Sequence, residues 1–175
     1  LLPFVISSVT ATTVSYLFLG NTVAFENDLT PFSIGNLPYY VLFGAICGYA
    51  SLYFTRTTLW LEDKIKGING TTRRWLISAG CLGLHIFIFR PLYGEGYEGM
   101  TALMHGQVAD LFDNSLFFKF SGIEWVAIIY VTAIMFFKVI AMATTNASGG
   151  VGGTFAPSLF VGAFMGAIVA LVCNA

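Results

Sequence analysis

The sequence predicts an all-α, polytopic membrane protein, and three observations carry that prediction. Of 175 residues, 57% are hydrophobic and only 10% charged, with a mean hydropathy of +0.79. A soluble domain of this size needs more charge than that to cover its surface. Five apolar segments approach the roughly 20 residues that a bilayer core of about 30 Å requires. The charged side chains gather in the connections between them.

The first segment runs from about Leu1 to Leu19 and is diluted by Ser7, Ser8, Thr10, Thr12, Thr13 and Ser15. The second runs from about Pro38 to Leu61. The third, from about Trp75 to Phe89, is short, and Arg90-Pro91 closes it. The fourth runs from about Ile123 to Thr145 and the fifth from about Phe155 to Cys173. A shorter helical piece around Glu98–Met104 precedes the fourth. Gly44 with Gly48, Gly162 with Gly166, and Ala163 with Ala167 recur one turn apart, a spacing that lets helix backbones approach closely in lipid. Between spans two and three sit Lys64, Lys66, Arg73 and Arg74, while the connections on the other side carry Glu26, Asp28, Glu95, Glu98, Asp110 and Asp113. Basic residues at span ends mark the cytoplasmic face, so the 64–74 loop is expected there. The formal net charge of −1 gives no reason to expect a nucleic-acid partner. Cys47, Cys81 and Cys173 lie inside apolar runs, without disulfide or metal-ligand spacing, and no Ser/His/Asp cluster suggests an enzyme. His85 lies between apolar neighbours and is expected to be a hydrogen-bonded structural histidine. Both ends of the chain read as cut from a longer protein.

One stretch stands apart. Residues 148–157, SGGVGGTFAP, place Gly149, Gly150, Gly152 and Gly153 directly before the fifth span. Unpaired backbone N–H groups cost several kcal/mol in hydrocarbon, so irregular backbone survives only inside protein or beside water. Thr154 suits an N-cap and Pro157 the first turn, where its missing N–H is no loss. A helix therefore begins near Phe155. Its leading amides lack intrahelical acceptors, and its dipole places about half a positive charge there. That is a backbone anion site. No Lys or Arg sits in the stretch, so an anion would be held weakly, as passage requires. A phosphate-binding loop is excluded, since Thr154 stands where a Lys would follow the last glycine. The residues read equally well as a plain flexible linker. A non-transport membrane scaffold with a glycine hinge is therefore the alternative function.

Lys138-Val139-Ile140, followed by residues 144–157, TTNASGGVGGTFAP, resembles the CLC family of chloride channels and chloride/proton antiporters. Gly153-Thr154-Phe155-Ala156-Pro157 matches that family's GxFxP motif, and Gly162-Ala163 with Gly166 matches the GAxxG that follows. The order of spans resembles the family's helices I to N, with a long tilted helix over about Leu37 to Ile65. The resemblance implies a single CLC-type membrane domain across residues 1–175, truncated at both ends and containing tilted and re-entrant helices. It implies chloride or a similar small anion as the transported ligand, held by backbone amides of Gly153, Thr154, Phe155 and Ala156. Gly149, Gly150, Gly152 and Pro157 would support that motif. Lys138 falls where the family has a basic residue, either facing the pore or snorkelling or ion-paired near the inner face. No cofactor or metal is implied. The resemblance also implies a homodimer of the full-length protein, with span one at its interface and a pore in each subunit, in the plasma (inner) membrane. The family's chloride-binding GSGIP segment is missing; Ser33-Ile34-Gly35-Asn36-Leu37-Pro38 is like it only superficially. The gating GKEGP segment is missing too, and Gly94-Glu95-Gly96-Tyr97-Glu98-Gly99 lies in the wrong region to replace it.

Overall fold

The computed structural model describes residues 2–20, 34–113, 115–120 and 122–174, and among these every regular element is helical. The chain divides into two units, residues 1–32 and 33–175. In the first, α1 spans Leu2–Leu19. Half of its polar dilution, the three threonines, is resolved internally. The hydroxyls of Thr10, Thr12 and Thr13 donate to the carbonyls of Ile6, Ser8 and Val9 at 2.8–2.9 Å. Back-bonding of this kind satisfies a hydroxyl without a partner helix. Glu26, Asp28 and Ser33, named above, lie outside the described residues.

The second unit holds α2 (Leu37–Lys66), α3 (Thr71–Ile88), α4 (Tyr97–Met104), α5 (Glu124–Ser148) and α6 (Phe155–Asn174). Among the described residues, three helices are long and apolar enough to cross a membrane: Ile34–Lys66, Glu124–Ser148 and Phe155–Cys173. The remaining two expected spans, α1 and α3, are helices of 18 residues each that fall short of that standard. Helix α2 has 30 residues, about 45 Å of rise, so it must tilt or project beyond a hydrocarbon core of about 30 Å. Pro38 occupies its first turn, and Lys64 and Lys66 complement the dipole at its end.

Helix α5 is the centre of this unit, with α2, α3 and α6 packed on it. Val131, Ile134, Val139 and Ala143 are fully buried along it. Tyr53 of α2 donates to the Phe136 carbonyl at 3.1 Å and meets the Phe136 ring edge-on. Phe89, Phe112, Tyr130 and Phe137 form an aromatic cluster where the end of α3 meets the first half of α5, with Phe112 stacked on Tyr130 at 4.3 Å. His85 bonds through Nδ1 to the Cys81 carbonyl at 2.6 Å and abuts Phe137. It is the structural histidine the sequence suggested.

Candidate functional site

Two features place the start of α6. The first is how α5 stops. Gly149 takes a left-handed conformation (φ +105°), which an L side chain rarely adopts. Its N–H bonds to the Asn146 carbonyl at 3.2 Å, and the Gly150 N–H bonds to the Thr145 carbonyl at 3.0 Å. This pair of bonds is a Schellman motif, which satisfies two of the last carbonyls of α5.

The second feature is how tightly the turn returns onto α5. A Cβ on Gly150 would lie 2.8 Å from the Thr145 carbonyl oxygen, and one on Gly152 would lie 2.8 Å from Asn146 Oδ1. Side chains cannot be accommodated at either position without moving backbone or a buried amide. Gly153 has no such neighbour. Three of the four glycines therefore have a packing or conformational reason, and the stretch is a built turn rather than a slack linker.

Helix α6 begins at Phe155, as expected. The Ser158 N–H bonds to the Thr154 carbonyl at 3.0 Å, which makes Thr154 the residue flanking the first turn. Pro157 has no N–H to lose. The amides of Phe155 and Ala156 meet no acceptor among the described residues. Gly153, Thr154 and Phe155 are exposed, and Ala156 and Pro157 are half-buried. The described residues supply one side of this terminus and no opposing wall.

Lys138 sits in the interior, beside Phe160 of α6. It is buried, with Nζ 2.7 Å from the Gly94 carbonyl, 3.3 Å from the Leu92 carbonyl and 5.0 Å from the centre of the Phe160 ring. Among the described residues no carboxylate lies within 4 Å of it, and Glu95 acts on it as a more distant negative charge. Among the described residues the ion pair is Lys66 with Glu62, at 2.7 Å on the surface. A buried ammonium needs several oxygen acceptors to offset its lost hydration, and here backbone carbonyls provide them. The segment before α4 is shaped to do so. Gly96 has φ +90°, and a Cβ there would lie 2.5 Å from Phe160 and 3.4 Å from Lys138 Nζ. Phe160 in turn stacks on Phe164 at 3.9 Å, both fully buried. The GEGYEG segment thus clasps a lysine and the middle of α6. Sequence reasoning missed this role; the signal was a glycine-rich turn and a lone intramembrane lysine, separated by about forty positions.

A cavity of about 350 Å³ lies between α3 and α5, walled by Trp75, Ser78, Leu82, Thr144, Gly149 and Gly150 among others. It adjoins the first half of the glycine turn and does not reach residues 153–157.

A family model described as voltage gated chloride channel matches residues 1–175. The chain belongs to the voltage-gated chloride channel family. Within this CLC family it is similar to chloride channel protein CLC-e of Arabidopsis thaliana, 32% identical over 171 residues, covering 93% of this chain and 22% of that protein. It is equally similar to chloride channel protein CLC-f of the same plant, 32% identical over 170 residues, covering 94% of this chain and 20% of that protein. The chain spans about a fifth of the length of these curated relatives. No solved structure matches it. The CLC family and the apolar helices make this an integral membrane protein. Neither supports the expectation of a plasma membrane in particular.

Proposed function

We propose that this chain forms one wall of a CLC anion pathway, and that a small anion is held by backbone amides at the start of α6. The observation that carries the reading is the turn at 149–153. Its Schellman closure and the close approach of Gly150 and Gly152 to α5 hold the first turn of α6 in a fixed place, with the Phe155 and Ala156 amides free. A hinge would need no such packing. Partial charges from a helix terminus, without a nearby Lys or Arg in the segment, suit an ion that must also leave. The names of the two plant relatives make chloride the first anion to test. Transport, by channel or by proton-coupled exchange, is the activity proposed, with the remaining pathway walls supplied by the longer protein. That protein pairs two copies through α1, whose exposed Phe4, Leu17 and Phe18 offer apolar surface, and each copy keeps its own pathway.

Proline at the first helical position removes an amide donor while keeping the helix start. Phe155→Pro in the full-length protein should therefore weaken halide binding and slow chloride flux in proteoliposomes by about tenfold, the worth of one hydrogen bond to an ion. Phe155→Ala, which keeps the amide and loses the ring, should change both far less. Equal effects of the two substitutions would defeat the amide site and favour a scaffold with a structural turn.

A further inference from the structure

We propose that Asn146 is a positioning residue for anion binding: its side chain is the stop against which the glycine turn rests, and so sets where the first amides of α6 stand. The inference rests on the amide site proposed above and names what holds that site at its height over α5.

Asn146 meets the turn at two points. Its backbone carbonyl accepts from the Gly149 N–H at 3.2 Å. Its side-chain oxygen lies beside Gly152, where a Cβ would come within 2.8 Å of Oδ1. Both ends of the 149–152 segment are therefore held by one residue, and Phe155 follows three positions later. The amide group is oriented from its other side. Its Nδ2 donates to Met142 Sδ at 3.3 Å, one turn back on α5, and Met142 is buried. Reversing the amide would set its oxygen against the thioether, acceptor against acceptor, so the oxygen is the atom left toward the turn.

What Oδ1 does not do is equally informative. It has less than 1 Å² of accessible surface and no hydrogen-bond partner among the described residues. The N–H groups of Gly152, Gly153 and Thr154 find no acceptor among the described residues either. A sealed, unpaired amide oxygen costs about 1–3 kcal/mol, and free donors lie within a few residues of it. An oxygen bonded to the Gly153 or Thr154 N–H would take a donor from the anion. Resting on the Gly152 methylene instead, it supports the turn by shape and leaves those donors free. Being sealed, Oδ1 cannot touch an anion itself and acts only through Gly152. Position matters here because the potential of a helix terminus falls off within its first turn.

The test measures chloride binding to purified full-length protein by calorimetry, with thermal unfolding in parallel. Gly152→Ala drives a methyl group into Oδ1 and should weaken chloride binding about tenfold by displacing the amides. Asn146→Ala removes the stop and should weaken it to a similar degree. Adding Gly152→Ala to Asn146→Ala should then cost less than about twofold more, since the methyl group has nothing to meet. Asn146→Leu keeps a branched side chain of similar shape beside Gly152 and should keep the affinity within about twofold. Gly153→Ala, which meets no side chain, should have the same effect in both backgrounds. Independent, multiplying effects of Gly152→Ala and Asn146→Ala overturn the proposal. So does a loss with Asn146→Leu equal to that with Asn146→Ala, which would make the polar atoms the support. A lower unfolding midpoint for Asn146→Ala with unchanged chloride affinity would leave Asn146 a structural role alone and also overturn it. Phe155→Pro separates the two readings. Binding weakened by Phe155→Pro but untouched by Asn146→Ala and Gly152→Ala keeps the amide site and removes Asn146 from it. Binding untouched by all three removes the amide site, and this proposal falls with it.

Discussion

Lys138 shows how a charge is kept inside an apolar unit. Its ammonium lies against two backbone carbonyls and a phenyl face, an arrangement that needs the 92–96 backbone to come close. Gly96 permits that approach, through both its positive φ and its missing Cβ. Gly96→Ala should therefore destabilise by about 2–4 kcal/mol, the sum of backbone strain and overpacking against Phe160. Thermal unfolding of the purified full-length protein checks this. Adding Phe160→Leu should recover part of the loss, because the clash is with that ring. A loss unchanged by the second substitution would leave backbone strain as the whole cause. The Lys66–Glu62 pair is the opposite case: exposed, one turn apart on α2, and worth only about 0.3–0.5 kcal/mol.

At the level of elements, the turn between α5 and α6 links the packing of α5 to the proposed anion site. It caps α5, lies against Thr145 and Asn146, and then releases α6 with its first amides unpaired. A methyl group at position 150 would meet the Thr145 carbonyl, which is itself fixed by the capping bond from the Gly150 N–H. Gly150→Ala should thus displace the start of α6 and cut chloride flux in proteoliposomes several-fold. Val151 points away from the protein with full exposure, so Val151→Ala should leave flux near wild type. If both variants carried wild-type flux, the position of this turn would not matter to transport.

Across the 33–175 unit, the ends of the helices sort into two sets. Gly149, at the end of α5, lies beside Trp75 at the start of α3. The end of α3 meets the first half of α5 through Phe89, Tyr130 and Phe137. Helices α3 and α5 are therefore antiparallel, and the 67–70 loop and the glycine turn lie at the same end of this helix pair. By the positive-inside rule, the four basic residues at 64–74 predict that this end is the cytoplasmic one. In full-length protein without native cysteines, Asn69→Cys and Val151→Cys should label from the cytoplasmic side and Asp113→Cys from the opposite side. Labelling of Asn69→Cys and Asp113→Cys from a single face would refute this arrangement.

The sequence alone determined the all-helical class, the start of α6 at Phe155 and the short helix ending at Met104. Each rests on local chemistry: apolar length, a proline in a first turn, glycines at a stop. It also carried the family, because GTFAP and its glycine-rich approach are contiguous. What it left open was whether those glycines were slack or built, and the answer lay in Thr145 and Asn146, whose distance from Gly150 and Gly152 is set by how the chain doubles back. Lys138 was legible as an unusual intramembrane charge, yet its partners are carbonyls at 92 and 94, which no side-chain pattern announces. The cavity at Ser78 and Thr144 joins two helices far apart in sequence. Only tertiary packing decides such matters, since burial and hydrogen-bond satisfaction depend on neighbours brought together by folding.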